Sequence, residues 1–258
     1  MPSLPRLIAF DLDDTLAPSK SPIDASMANL LARLLARTEV CIISGGQFAQ
    51  FKMQVIEMLP DLADEQLARL HLMPTCGTQY YRYEGGWVQI YAQDLSADEK
   101  KRALLAVEET ARSMGYWESE TWGPILEDRG SQITFSALGQ AAPVAEKIKW
   151  DPSGSKKNYL REAVQAVIPD LEVRSGGSTS IDITRRGIDK AYGMTKLAEL
   201  TGVGLLEMLF VGDRLDPEGN DFPVRALGVP THEVTSWKET AEFVEEFLNR
   251  PGSLSVAS

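Results

Sequence analysis

Four apolar residues in succession, Leu7-Ile8-Ala9-Phe10, stop at a cluster of acidic residues that begins with Asp11. A short unbroken apolar run bounded by polar residues predicts a strand buried on both faces, as in a parallel sheet. From Ile23 onward the period changes: Met27, Leu30, Leu31, Leu34 and Leu35 recur at the three- and four-residue spacing of a helix that buries one face. A second unbroken run, Val40-Cys41-Ile42-Ile43, ends at Ser44-Gly45-Gly46. Strand, helix and strand in this order predict a βαβ unit.

A helix is expected over 47–59, and the segment 71–87, with Tyr80, Tyr81, Tyr83 and Trp87 around Gly85-Gly86, predicts a hairpin. Between 87 and 186 the pattern predicts a helix over 97–114, strands around Ile125 and Ile133, a lysine-rich helix over 153–167, and strands near Leu171 and Ile181. Such grouping predicts an α+β unit inserted into an α/β unit. Alternation resumes after Gly187, with a helix over 189–200, an apolar strand over 205–211 that ends at Gly212-Asp213, and a last helix over 237–249; from Pro251 onward a loose tail is expected. The expected division is therefore 1–86 with 187–258 as one domain and 87–186 as the other.

With 258 residues, 43% of them hydrophobic, the chain is long enough to bury a sizeable core. A formal net charge of −11 and a sequence pI near 4.8 set the whole-molecule field against polyanions, so neither nucleic acid nor an anionic membrane is an expected partner. A small phosphorylated substrate stays open, because a few local cations decide that contact at short range. The two cysteines, Cys41 and Cys76, form no CxxC motif and are read as small buried hydrophobes. Residues 1–6 are too short and proline-rich for a signal peptide, and no apolar run nears the ~20 residues of a transmembrane helix. A cytoplasmic location is the expectation.

The candidate chemistry sits at the ends of the predicted strands. Asp11 and Asp13, two apart, can both aim beyond the carboxyl end of the first strand, where open parallel sheets place ligands. Two such carboxylates repel unless a cation lies between them or one is protonated, and Mg²⁺ takes hard oxygen ligands with room for substrate phosphate. Asp14 and Thr15 equally suit a helix N-cap cluster. Ser44 is either a hydroxyl aimed at a ligand or a helix opener, and Lys190 taken alone is an ordinary surface lysine.

In order along the chain, these segments resemble the four motifs of the haloacid dehalogenase superfamily of phosphatases and phosphomutases. Phe10-Asp11-Leu12-Asp13-Asp14-Thr15-Leu16 is similar to the first, Ile42-Ile43-Ser44-Gly45-Gly46 to the second, Lys190 in Arg186-Gly187-Ile188-Asp189-Lys190 to the third, and Gly212-Asp213 through Glu218-Gly219-Asn220-Asp221 to the fourth. The resemblance implies a Rossmann-like α/β core with a parallel sheet and an inserted α+β cap that selects the substrate. It makes Asp11 the nucleophile, Asp13 the general acid/base, and Ser44 and Lys190 their catalytic partners. Mg²⁺ would sit on Asp11, Asp213 and the backbone carbonyl of Asp13, with Asn220 and Asp221 in support, Asp221 by orienting Lys190 or the loop.

The place of the insert, together with Ser175-Gly176-Gly177-Ser178-Thr179-Ser180-Ile181-Asp182, resembles the phosphomannomutases and related sugar phosphatases. On that likeness Gly45, Ser180 and Asp182 are substrate-binding, a sugar phosphate is the substrate, and a homodimer through the cap is implied. Mutases of this kind grip a second phosphate with arginines. Arg129 matches one of them, but Gln140 and Lys147 stand at the next two positions and Lys20 at the core-side one. Asp14 stands where the mutases usually carry glycine. These departures favour a phosphatase, with a phosphomannomutase and a non-catalytic binding protein as the alternatives. Lys147, Lys149, Lys156 and Lys157 suit either a phosphate-binding rim or a solvated helix face.

Overall fold

The fold is described from a computed structural model, over residues 4–249; the tail expected from Pro251 lies outside the described residues. The chain runs through β1 (Leu7–Phe10), α1 (Ala25–Leu35), β2 (Glu39–Ile43), α2 (Phe48–Gln54), α3 (Asp64–Leu67), β3 (Leu70–Met73), β4 (Gln79–Tyr83) and β5 (Trp87–Ala92). It continues through α4 (Ala97–Ser113), β6 (Leu126–Asp128), β7 (Ile133–Ser136), α5 (Val144–Trp150), α6 (Ser155–Val167), β8 (Leu171–Ser175) and β9 (Ser180–Arg185). The last stretch is α7 (Lys190–Thr201), β10 (Met208–Gly212), α8 (Phe222–Ala226), β11 (Thr231–Glu233) and α9 (Trp237–Asn249). Two compact units result. One ends at Tyr91 and resumes at Ile188, and the other spans Ala92–Gly187.

The first unit holds a seven-stranded sheet in the order β11-β10-β1-β2-β3-β4-β5. β11, β10, β1, β2 and β3 are parallel, and β4 turns antiparallel to β3. The continuous apolar runs are explained by burial on both sheet faces. Ile8, Phe10, Val40 and Ile42 point to a cluster with α1 and α9, while Leu7, Ala9, Cys41 and Ile43 point to a cluster with Met194 and Leu197 of α7. Each such large aliphatic side chain, fully buried, contributes about 1.5–3 kcal/mol. Asp24 caps α1 by accepting from the Met27 amide at 2.8 Å.

The second unit is a four-stranded antiparallel sheet, β6-β7-β9-β8. Ile133 and Phe135 of β7 and Ile181 and Ile183 of β9 pack against Val107 of α4 and against Leu160 and Val164 of α6. The alternation leaves Thr134, Ser180 and Asp182 on the opposite, polar face.

Several expectations are corrected here. The helix over 47–59 is two pieces: α2 ends at Gln54, and a 3₁₀ turn covers Ile56–Met58. The segment 71–87 is not one hairpin, because β3 joins β2 in parallel and the hairpin is formed by β4 and β5. β5 thus completes the first sheet, and the unit boundary falls at 91 and 187 where 86 and 186 were expected. Ile125 precedes β6, and the strand expected from 205 begins at Met208 after a 3₁₀ turn. The lysine run is divided between α5 and α6. Cys41 is buried, but Cys76 is half-exposed, with a left-handed φ of 56° in the turn after β3. α3, α5, α8 and β11 were not anticipated. No helix among the described residues is long and apolar enough to cross a membrane.

Candidate active site

Strand order reverses at β1: the chain goes from β1 to β2 on one side, whereas β10 lies on the other. Open α/β sheets bind ligands at such a switch point, at the carboxyl ends of the strands. β1 and β10 are in register with Phe10 opposite Val211, so Asp11 and Asp213 leave neighbouring strand ends together, and Ser44 follows β2 on the far side of β1.

Lys190 arrives from α7. Asp189 caps that helix by accepting from the Tyr192 amide at 3.0 Å, which makes Lys190 its first residue. The helix can approach the sheet because its fourth residue is Gly193, against the Ile43 side chain and the carbonyl of Cys76. Lys190 is 1% exposed, and its Nζ donates to Asp11 Oδ1 and Asp221 Oδ1, each at 2.5 Å. Asp221 also accepts from the Arg214 amide at 3.1 Å, which closes the loop after β10.

Asp11, Asp213 and Asp221 present oxygens within 4.8 Å of one another. Thr15 joins two of them, its hydroxyl donating to Asp213 Oδ1 at 3.3 Å or Asp11 Oδ2 at 3.5 Å. Burial, reinforced by Asp221 and Asp213, raises the Asp11 carboxyl well above its ordinary value against the pull of Lys190. Burial and then Asp221 raise Asp213 in the same way. For Lys190, burial works downward, but Asp11 and Asp221 outweigh it and hold the ammonium well above its ordinary range. Lys190 therefore stays charged, and the crowding falls on the acids. Three carboxylates around one ammonium leave the cluster with an excess of two negative charges. Hard oxygen donors with that excess fit a divalent cation.

The Asp13 carboxylate is not part of the group formed by Asp11, Asp213 and Asp221. β1 ends at Phe10 and Asp14 takes a left-handed φ of 64°, so strand alternation does not extend to Asp13. Its side chain lies outside the acidic cluster and meets α2 instead: Gln50 Nε2 donates to Oδ2 and Gln54 Nε2 to Oδ1, each at 3.2 Å, and the Lys20 amide donates to Oδ1 at 2.6 Å. The conformation of Asp14 also explains why a glycine suits that position in the mutases. Thr15, Gln50 and Gln54 were not among the expected site residues. Thr15 looked like turn chemistry, and the only trace of the glutamines was their four-residue spacing on one helix face.

Among the other expected residues, Ser44 is buried and its Oγ accepts from the Gly46 amide at 3.2 Å. Gly45 is half-buried in the same loop, Lys20 is exposed with φ 56°, and Asn220 is exposed next to Asp221. Arg129, Lys147, Ser180 and Asp182 belong to the second unit. There Asp182 Oδ1 accepts from Thr134 Oγ1 at 2.7 Å. Arg129 is held on Glu127 Oε2 through Nε at 3.0 Å and an NH₂ nitrogen at 2.7 Å, and lies 3.5 Å from Gln140 Oε1. Lys147 lies on α5.

A family model described as eukaryotic phosphomannomutase matches residues 27–250. The chain belongs to the eukaryotic phosphomannomutase family. The match takes in Ser44, Lys190 and Asp213 and begins after Asp11 and Asp13. Human phosphomannomutase 1 is 24% identical over 252 residues, covering 94% of this chain and 92% of that protein. Among solved structures, Plasmodium falciparum IMP-nucleotidase aligns with a TM-score of 0.70 at 14% identity, over 96% of this chain and 69% of that one. A haloacid dehalogenase-like hydrolase from Bacteroides thetaiotaomicron aligns with a TM-score of 0.60 at 16% identity, over 94% and 99%. These likenesses give the fold, a haloacid dehalogenase core with an inserted unit. Family and fold together make the phosphomannomutase-family chain a phosphoryl-transfer enzyme, of the phosphatase or phosphomutase kind.

Proposed function

We propose that the chain is a magnesium-dependent phosphatase of a sugar phosphate or similar small phosphomonoester, working through an aspartyl-phosphate on Asp11. The observation that carries this reading is the buried Asp11 carboxylate, held by Lys190 at 2.5 Å within the cluster that includes Asp213. In the first step an Asp11 oxygen attacks phosphorus in line, the new O–P bond forms as the ester P–O bond breaks, and Asp13 gives a proton to the leaving oxygen. In the second step Asp13 takes a proton from water, whose oxygen attacks phosphorus as the bond to Asp11 breaks. The Lys190 ammonium and the Ser44 hydroxyl oppose the charge on the transferring oxygens, which is most of what this chemistry requires.

Asp11, Asp213 and the backbone carbonyl of Asp13 would hold Mg²⁺. When bound, the ion neutralises charge on the phosphoryl oxygens. Lys20, Gly45, Arg129, Lys147, Ser180 and Asp182 are proposed to meet the substrate. Hydrolysis is favoured over isomerisation because Gln140 replaces an arginine and Arg129 is already neutralised by Glu127. The family match favours the second reading, a mutase that exchanges phosphate between two sugar hydroxyls. Dimerisation through the second unit belongs to the same resemblance and is supported by Val144 and Ile148, one helical turn apart on α5 and 62% and 56% exposed.

The test is a panel of sugar phosphates with Mg²⁺, with and without a hexose 1,6-bisphosphate. Free phosphate marks the phosphatase, bisphosphate-dependent isomer marks the mutase, and no reaction with any of them or with an aryl phosphate marks a binding protein. Asp11→Asn should abolish turnover with folding unchanged.

A further inference from the structure

Both oxygens of the Asp13 carboxylate accept hydrogen bonds, and their donors Gln50, Gln54 and the Lys20 amide lie outside the acidic cluster. Gln50 and Gln54 stand one turn apart on α2 and face Asp13 with one amide each, at 3.2 Å, while the Lys20 amide takes Oδ1 from the other side. The amides are themselves fixed. Gln54 is 0% exposed and its Nε2 also donates to the Ser21 carbonyl at 2.7 Å. The carbonyl end of Gln50 lies where a side chain at Gly46 would stand, so the glycine leaves room for it.

The acidic cluster, by contrast, gathers Asp11, Asp213 and Asp221 without Asp13. A general acid/base must come within hydrogen-bond reach of the atom whose proton it moves. Each hydrogen bond from a donor outside the cluster opposes movement of the carboxylate toward the atoms reacting at Asp11.

We infer that Gln50 and Gln54 are positioning residues that clamp the Asp13 carboxylate in a withdrawn position, so that its engagement in phosphoryl transfer competes with two amide hydrogen bonds. The inference rests on the proposed roles of Asp11 and Asp13. The half-buried Gln50 is the side to loosen, since Gln54 also holds the Ser21 backbone. Gln50→Met keeps the length and removes the donor; Gln50→Glu places a carboxylate against Asp13.

The experiment measures steady-state turnover of p-nitrophenyl phosphate with Mg²⁺ for both Gln50 variants, for Asp13→Asn and for the double variant Gln50→Met/Asp13→Asn, with circular dichroism and thermal unfolding as folding controls. Losing one hydrogen bond to a charged acceptor should raise kcat by about tenfold or more at unchanged KM. In the Asp13→Asn background, Gln50→Met should change the residual rate by less than about twofold, because the clamp acts through Asp13. Folded Gln50 variants with wild-type or lower kcat would overturn the clamp, and so would a gain that survives in the double variant. Wild-type turnover in Asp13→Asn would instead overturn the acid/base assignment beneath it. If Gln50→Met does not fold, Gln50→Glu decides by the same criteria.

Discussion

Lys190 Nζ lies 2.5 Å from Asp221 Oδ1, with the two side chains 1% and 0% exposed. The same nitrogen holds Asp11 at 2.5 Å, so one ammonium compensates two buried carboxylates. Removing one member of a buried ion pair costs more than the pair contributes, because the remaining charge keeps its desolvation penalty. Lys190→Met should therefore lower unfolding stability by about 3–5 kcal/mol, measured by urea denaturation, and abolish phosphate release. A loss below about 1 kcal/mol would mean that Asp11 and Asp221 are solvated in the protein.

The same crowding predicts how metal and pH act together. A carboxyl whose value is raised on folding binds its proton more tightly in the native state. Its contribution to stability is then full below the ordinary value of 3.8 and is lost as pH rises through the raised value. Asp11 and Asp213 are both raised, first by burial. In EDTA, stability should fall as pH rises from about 4 upward. Mg²⁺ should oppose that fall, and at a hundred times its dissociation constant should add about 2.7 kcal/mol. Asp213→Asn should remove most of the metal effect. Thermal unfolding with and without Mg²⁺ across pH checks both parts, and identical curves for the wild type would refute the cation site.

How far the sequence discloses this site depends on the range of each interaction. Asp11, Ser44 and Asp213 follow apolar runs, and burial on both faces of a parallel sheet makes those runs unmistakable. Lys190 is different. Nothing local separates it from a surface lysine, and it becomes legible only through its place after the insert in the motif order. Thr15 and the two glutamines were missed because polar residues near a turn or on a short helix carry no periodic signature. The partners of Asp13 are not legible from strand alternation, because β1 ends at Phe10 and the chain turns at the left-handed Asp14. The unanticipated α5, α8 and β11 are seven residues or fewer, too short for a period to emerge.

Gly193 links packing to chemistry. A Cβ added there would lie 2.8 Å from the Cys76 carbonyl oxygen and would also strike the Ile43 side chain. Neither backbone carbonyl nor buried strand residue yields easily. Overpacking costs about 1–3 kcal/mol, and the better helix propensity of alanine offsets just under 1 kcal/mol of it. Gly193→Ala should thus destabilise by up to about 2 kcal/mol. Since α7 carries Lys190 at its first position, the displaced helix should also lower kcat by about tenfold or more. Paired measurements of unfolding midpoint and phosphate release test this. Destabilisation with unchanged kcat would show that Lys190 is placed by its ion pairs alone.

Gln140 offers the sharpest way to separate the two functional readings. Its Oε1 lies 3.5 Å from an Arg129 nitrogen, and its Nε2 donates to Ser136 Oγ at 2.8 Å. A guanidinium at this position would stand beside one that Glu127 already neutralises, so the local charge would become positive. Arginine forks bind phosphate in two-pronged, charge-assisted contacts. Gln140→Arg should tighten binding of a hexose 1,6-bisphosphate by about tenfold, as one such contact is worth roughly 1.5–3 kcal/mol against repulsion from Arg129. If the wild type is a phosphatase because it lacks this contact, the variant should form more isomer per phosphate released. Isothermal titration gives the affinity and product analysis gives the ratio. Tighter binding with no change in that ratio would mean that the fate of the phosphoryl group is decided at Asp11 and Asp13, not by the second phosphate.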